Sequence, residues 1–283
     1  MILPINKLID SRYIVTRFIG SGGMAEIYEA NDTFTHKKVA LKIIKNDDEI
    51  DKFENEARFI SMFKHPHIIK IYNVGSYDGK TFISYELGLG RTFKEFLDER
   101  SHLSKDEAIE YISQILSASK YIHERGVIHN DLKPDNLIKS YDGNIKLIDF
   151  GIASHIDEDF TEKVVASIQY AAPEVLTSKR YSIQSDIYSL GIILFEMLTG
   201  RTPFMKKTSQ EEIKAHQLEV VPSISDFVNV NNYQDFDYII KKATNPHLKF
   251  RYKNDDEMIN DINKFKNGVS LKEKNLFQKI FGK

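Results

Sequence analysis

Val127-Ile128-His129-Asn130-Asp131-Leu132-Lys133-Pro134-Asp135-Asn136-Leu137 sets two aspartates, two asparagines and a lysine between apolar residues. Downstream come Ile145-Lys146-Leu147-Ile148-Asp149-Phe150-Gly151 and then Tyr170-Ala171-Ala172-Pro173-Glu174. Taken singly, each polar group has an ordinary explanation. Isolated aspartates are commonly solvated surface groups or turn formers, and Asn136 after Pro134-Asp135 reads equally well as a turn residue. Their order, joined to two features upstream, gives the joint pattern its meaning.

The first upstream feature is Gly20-Ser21-Gly22-Gly23, flanked by strand-like runs from Tyr13 to Ile19 and from Glu26 to Ala30. Glycines let backbone amides approach a polyphosphate closely. A dinucleotide-binding turn would open a helix here, whereas this one opens a strand. A tight hairpin with no ligand accounts for the loop as well. The second feature is Val39-Ala40-Leu41-Lys42-Ile43-Ile44, an apolar strand holding one lysine. Period two puts Ala40 and Lys42 on one face. A lysine in such a strand is costly unless an anion meets it. Phosphate oxygens or the carboxylate of Glu56 would serve, and a lysine at a sheet edge is the plain alternative.

The chain changes character along its length. Up to Leu87 it reads as strands, Phe82 to Leu87 being another, interrupted by one helix. In that helix Phe53, Ala57, Ile60 and either Met62 or Phe63 recur at helical spacing until Pro66. Beyond Gly88 and Gly90 it becomes helical. Ser104-Lys105-Asp106-Glu107 is a capping box opening an amphipathic helix that Gly126 closes. Asp186 to Thr199 is apolar almost all round, which predicts a buried central helix ended by Gly200 and Pro203. His65-Pro66-His67 reads as the turn after the first helix rather than a metal site.

Composition narrows the classes. The 283 residues are 41% hydrophobic and 28% charged, the balance of a folded globular chain. A formal charge of -2 gives no global field to hold nucleic acid. The absence of cysteine removes disulfides, thiolate metal sites and cysteine nucleophiles together. No run reaches the ~18 apolar residues of a membrane span, and the N-terminus is interrupted by Pro4, Asn6, Lys7 and Asp10. A cytoplasmic protein is the expectation.

In their fixed order, the glycine loop, strand lysine, helix glutamate, His129-Asn130-Asp131 loop, Asp149-Phe150-Gly151 and Ala172-Pro173-Glu174 resemble the protein kinase family. The resemblance runs from about Tyr13 to about Phe265. The stretches Gly20 to Ala30 and Ser185 to Phe204, with Phe250-Arg251-Tyr252, are most similar to bacterial Ser/Thr kinases of eukaryotic type. It implies an α+β bilobal fold: a small antiparallel β-sheet lobe with one key helix, and a larger, mainly α-helical lobe. The kinase domain would span residues 1–266, with an N-lobe of about 1–87, a hinge of about 86–91, a C-lobe of about 92–266 and a lysine-rich tail over 267–283.

The resemblance implies ATP as the phosphoryl donor, with Mg²⁺, or Mn²⁺, as the metal. Phosphoryl transfer needs in-line positioning and neutralised charge rather than covalent catalysis. Asp149 and Asn136 would bind the metal, since magnesium takes hard oxygen ligands and keeps waters. Asp131 would orient the attacking hydroxyl and accept its proton, and Lys133 would reach the γ-phosphate. Lys42 would hold the α/β-phosphates, oriented by Glu56. Gly20, Ser21, Gly22, Gly23, Met24 and Ala25 would cover the phosphates. Ile27, Ala40 and Ile138 would sandwich the adenine, Glu86 and Leu87 would offer it backbone groups, and Tyr85 would lie behind it. Asp186 would brace the catalytic loop, Glu174 would pair with Arg251, and Phe150, His129 and Ile60 would stack as a spine.

Three departures stand out. Ala25 replaces the third glycine. Asn130 replaces the arginine that pairs with a phosphorylated activation-loop residue, and the loop around Thr161 is already acidic, with Asp157, Glu158, Asp159 and Glu162. Activity is therefore expected not to depend strictly on phosphorylation there, although autophosphorylation at Thr161 or Ser154 is compatible with the sequence. Ala166-Ser167 replaces Gly-Thr, and the Ser167 hydroxyl is expected to reach Asp131 and Lys133. Asp135 near the acceptor groove suggests a mild preference for basic substrates.

Protein substrates with Ser/Thr acceptors are the implied partners, and a homodimer is compatible. The tail, with Leu271, Leu276, Phe277, Ile280 and Phe281 among lysines, reads either as a peripheral membrane anchor or, preferably, as a terminal helix packed on the C-lobe or a frayed end. A pseudokinase scaffold is the competing function, although it usually lacks one of the lysine and two aspartates kept here. A small-molecule kinase lacks the extended segment ending in Ala-Pro-Glu.

Overall fold

The computed structural model describes residues 3–23, 25–46, 50–88, 90–156, 167–229 and 233–271. The chain divides into two compact units, Met1–Arg91 with Ile138–Ala153, and Thr92–Leu137 with Ser154–Lys283.

The first unit is built on strands β1 (Leu8–Ile9), β2 (Tyr13–Ser21), β3 (Ala25–Asp32) and β4 (Lys38–Ile44), helix α1 (Ile50–Ser61), and strands β5 (Ile71–Tyr77) and β6 (Lys80–Glu86). They form one six-stranded antiparallel sheet in the order β1-β2-β3-β4-β6-β5. One face buries Tyr13, Val15, Tyr28, Ala30, Val39, Leu41, Ile43 and Phe82 against Ile9. Alternation along β3 and β4 therefore leaves Ile27, Ala40 and Lys42 on the other face, as the period-two reading of β4 requires. The β5–β6 hairpin turns through Asp78 and Gly79, both left-handed, as a two-residue turn matched to strand twist demands. Strand β5 escaped the sequence reading. It is the outer strand of the sheet, with Tyr72 and Val74 exposed, so no apolar run marks it. Helix α1 ends at Ser61, before Pro66, so Met62 and Phe63 both lie beyond it; Phe63 is buried and Met62 is exposed.

Strand β7 (Gly90–Thr92) belongs with β9 (Leu137–Ser140) and β10 (Ile145–Leu147) to a three-stranded sheet in the order β10-β9-β7. Gly90 is required there, because a Cβ would lie 2.0 Å from the Lys139 carbonyl. Residues 145–147 dock onto the segment after α1. Ile69 N–H donates to Leu147 O, Leu147 N–H donates to His67 O, and His67 Nδ1 lies 3.0 Å from Ile145 O.

The second unit contains α2 (Phe93–Asp98), α3 (Lys105–His123), β8 (Val127–Ile128), β11 (Ser154–His155), α4 (Pro173–Ser178), α5 (Ile183–Thr199), α6 (Ser209–Leu218), α7 (Gln234–Ala243) and α8 (Asp255–Lys266). The capping box at Ser104 and Glu107 forms as expected, and Thr92 with Glu95 forms another on α2. Helix α5 starts earlier than its apolar run, at Ile183, because Ser182 caps it. Every residue from Ser185 to Thr199 is buried, so α5 is the core of this unit, with α3 and α7 packed on it. Each fully buried Leu or Ile contributes roughly 1.5–3 kcal/mol of transfer free energy. Gly200 ends α5 in a left-handed conformation, where a Cβ would also strike Ser101 O.

No helix among the described residues is long and apolar enough to cross a membrane. Leu271, read as part of the tail, is buried and donates its amide to Asp235 Oδ1 at 2.7 Å. Met24, residues 157–166 with Thr161 and Ala166, and residues 272–283 lie outside the described residues.

Candidate active site

In the first unit the chain passes from β2 to β3 through the glycine loop. Gly22 N–H donates to Ala25 O at 3.0 Å, and Lys45 Nζ donates to Gly22 O. A Cβ at Gly20, Gly22 or Gly23 would meet nothing within 4 Å. The protein's own packing therefore does not demand glycine at these positions.

Strand register assembles the face beside this loop. Lys42 pairs with Ile27 on one side and Ile83 on the other, and Ala40 pairs with Glu29 and Tyr85. Ile27, Ala40, Lys42 and Tyr85 thus share one face. Ile138 lies beside Gly88, where a Cβ would be 3.2 Å from Ile138 Cγ2. Glu86 gives its backbone N–H to Lys70 O at 2.7 Å. Glu86, read together with Leu87 as offering backbone groups to adenine, thus has its own N–H engaged within the protein. Its side chain pairs with Lys146 at 3.1 Å.

Lys42 Nζ donates to Glu56 Oε2, and Tyr85 Oη donates to Glu56 Oε1 at 2.6 Å. Both carboxylate oxygens are engaged in a buried site. Burial works against the Lys42 charge, but Glu56 and Asp149 outweigh it and hold the ammonium above its usual range. Burial and the Glu56 carboxylate push Tyr85 far above the phenol range, so its hydroxyl remains a donor.

Asp149 adopts a left-handed φ of 62° and accepts Gly151 N–H at 3.3 Å. Phe150 is fully buried, with its ring 5.3 Å from that of Phe63. Asn55 on α1 holds this turn from the side. Its Nδ2 lies 3.4, 3.2 and 2.9 Å from the carbonyl oxygens of Phe150, Gly151 and Ala153. No motif announces Asn55; its only sequence signal is its place beside Glu56.

In the second unit β8 pairs with β11 and hands the chain to the loop that carries Asp131. Asp186, in the first turn of α5, accepts the amides of His129 at 2.8 Å and Asn130 at 3.0 Å. Asn130 takes a left-handed φ of 70°, a conformation Asn tolerates better than most residues. Lys133 Nζ donates to Asp131 Oδ2 at 2.6 Å and to Ser167 Oγ at 2.8 Å, and Ser167 Oγ donates to Asp131 Oδ1 at 2.9 Å. The expected reach of Ser167 is therefore realised. Asn136 Nδ2 donates to Asp131 O at 2.8 Å and to Asp131 Oδ2 at 3.0 Å. Lys133, Asn136 and Ser167 thus converge on one carboxylate.

Glu174 and Arg251 form a two-pronged ion pair at 2.7 and 3.1 Å, with the guanidinium also donating to Gln184 O and Asn245 O. Sequence reasoning missed the acid that anchors the neighbouring segment: Glu196 on α5 accepts Tyr170 Oη at 2.7 Å and Lys94 Nζ at 2.9 Å. It also missed His123, buried between Asp186 and Asp255. One expectation is corrected. Ser154 is 1% exposed on β11, with its hydroxyl accepting from Asn130 Nδ2, so it is not an accessible phosphorylation site in this arrangement.

The chain belongs to the protein kinase domain family, which it matches over residues 13–270. It is 38% identical over 269 residues to the probable serine/threonine-protein kinase PknB of Lactococcus lactis, covering 92% of this chain and 43% of that protein. It is 37% identical over 278 residues to the serine/threonine-protein kinase PrkC of Bacillus subtilis, covering 95% and 43%. A probable serine/threonine-protein kinase of Clostridium acetobutylicum is 33% identical over 275 residues, covering 93% and 41%. The chain spans less than half the length of these relatives.

Proposed function

We propose that this chain is a serine/threonine protein kinase domain that transfers the γ-phosphoryl group of ATP to protein hydroxyls. The observation that carries the reading is the set of contacts around Asp131: Lys133, Asn136 and Ser167 all bond to its carboxylate.

Asp131 receives the proton of the acceptor hydroxyl as the oxygen–phosphorus bond forms and the bond to the departing ADP oxygen breaks. Lys133 sits on that carboxylate and meets negative charge as it gathers on the transferred group. Ser167, bonded to both, lines the position of a small aliphatic hydroxyl, which supports Ser/Thr acceptors. Lys42, held charged by Glu56, grips the α/β-phosphates, and Tyr85 locks Glu56. The glycine loop covers the phosphates, and Ile27, Ala40 and Ile138 supply the apolar contacts for adenine.

The donor chemistry fits a divalent metal. Asn136 commits its Nδ2 to Asp131, leaving an amide oxygen, and Asp149 supplies a carboxylate. An ion that takes most of its ligands from phosphate and water needs only one or two such oxygen donors from the protein. Mg²⁺, with Mn²⁺ as a substitute, would be held by Asp149 and Asn136 and would neutralise phosphate charge.

Incubation with γ-labelled ATP, Mg²⁺ and a generic basic protein tests the reading. Label on Ser or Thr that falls by roughly a hundredfold or more in Asp149→Asn is the expected result. ATP binding without transfer to any protein would overturn it in favour of a scaffold.

A further inference from the structure

His123 ends α3 and is buried between two carboxylates. Its Nε2 lies 2.9 Å from Asp186 Oδ2, and its Nδ1 lies 2.6 Å from Asp255 Oδ2. Asp255 is the first residue of α8, and its other oxygen accepts the Ser119 hydroxyl at 2.8 Å. Asp186 in turn holds the backbone amides of His129 and Asn130, immediately before Asp131. A continuous line of hydrogen bonds therefore runs from the start of α8 through the imidazole to the catalytic loop.

A neutral imidazole has one N–H and one lone pair. Here both ring nitrogens face carboxylate oxygens at hydrogen-bond distance. With both acids ionised, the two contacts coexist only when the ring carries both protons. In the neutral ring one contact becomes a lone pair against a carboxylate, and one buried acid loses its counter-charge.

The geometry points to His123 as a positioning residue for phosphoryl transfer: as an imidazolium clamped by Asp255 and Asp186, it keeps Asp186 on the catalytic-loop amides and so keeps Asp131 in place. This rests on the kinase reading above. The other charged groups around it fit the assignment. On α3 itself, Lys120 is turned to the surface, where it pairs with Asp256 of α8 and with Glu124. Arg125 stacks on Tyr121. From α5 the facing charge is Asp186, and from α8 it is Asp255. The catalytic loop presents two amides to Asp186, and the His129 ring accepts the Asp131 amide at 3.3 Å. No second cation shares the two carboxylates among the contacts described. Burial alone would pull the His123 proton off, but the bonds to Asp186 and Asp255 outweigh it and raise the ring to about 9.

The test uses the full chain as wild type, Asp255→Asn and His123→Gln. The His123 ring nitrogens are observed by ¹⁵N NMR, assigned by their loss in His123→Gln, while kcat and KM for ATP are followed from about pH 6 to about pH 9.5. Both nitrogens should be protonated at about pH 7.5. In Asp255→Asn, an amide oxygen still accepts from the ring but no longer supplies charge. The alkaline limb of kcat should therefore move at least about one pH unit toward neutral, with KM for ATP within about twofold of wild type. A merely structural contact would lower kcat at every pH alike. Superimposable pH profiles of wild type and Asp255→Asn, or one unprotonated ring nitrogen at neutral pH, would overturn the proposal. Absence of transfer at any pH with a doubly protonated ring would instead sink the kinase reading and leave the imidazolium standing.

Discussion

Asn130 donates its side-chain amide to the Ser154 hydroxyl at 2.9 Å, and both residues are buried. A neutral hydrogen bond thus ties the catalytic loop to β11 at the position where kinases of this pattern carry an arginine awaiting a phosphate.

Kinase activity should accordingly survive loss of the activation-segment hydroxyl. Thr161→Ala is expected to keep activity within about threefold of wild type in a transfer assay. Ser154→Ala leaves the buried Asn130 amide short of an acceptor and should cost roughly 1–2 kcal/mol in denaturant unfolding. Asn130→Arg places a cation where the structure offers a hydroxyl, and should cost more, roughly 3 kcal/mol. A Thr161→Ala protein with almost no activity would contradict this account.

Tyr85→Phe removes the 2.6 Å bond to Glu56 while keeping the ring in place. Glu56 then loses a donor in a buried site, at a cost of about 1–2 kcal/mol. The expected signature is a KM for ATP raised about five- to tenfold, with a smaller change in kcat, read by steady-state kinetics. An unchanged KM would show that Lys42 alone orients Glu56.

Arg251 has a fully buried side chain that bonds Glu174 and two backbone carbonyls. Arg251→Ala leaves the Glu174 carboxylate without its cation and should destabilise by roughly 3–5 kcal/mol. Arg251→Lys should recover only part of this, because an ammonium cannot reproduce the two-pronged contact. Calorimetry or denaturant titration of the two variants checks the ranking.

Stability should fall on the alkaline side. His123 is raised from 6.5 to about 9 in the folded chain, by the bonds to Asp186 and Asp255 against the opposing effect of burial. A raised basic group stabilises fully below its unfolded value and loses that contribution as pH climbs through the folded one. The loss should therefore run between about pH 6.5 and about pH 9 and amount to about 3 kcal/mol, at about 1.36 kcal/mol per pH unit. Asp255→Asn should flatten this slope. Equal slopes in the two proteins would mean that other groups govern the alkaline limb.

Much of this was legible from residue order, because phosphate chemistry restricts residue type. Asp131, Lys133, Asn136, Asp149, Lys42 and Glu56 are each the side chain that their proposed part in the reaction calls for, and their spacing reports their elements. Period two put Ala40 and Lys42 on one face of β4, and β3 and β6 pair across it accordingly. The caps at Ser104 and Gly200 were equally readable, since they depend on neighbours within one turn. Strand β5 was not, because an outer strand with exposed Tyr72 and Val74 carries no continuous apolar signal.

Local pattern thus determined the class of fold and the order of its elements, and reaction chemistry singled out the groups proposed to react. Tertiary structure alone decided which distant side chains hold those groups. Asn55 reaches the Phe150–Ala153 carbonyls, Ser154 meets Asn130, and His123 joins Asp186 to Asp255 across separations no periodicity encodes. The reason is physical. A helix or strand registers only residues a few positions apart, whereas a buried polar group must find its partner wherever packing delivers one.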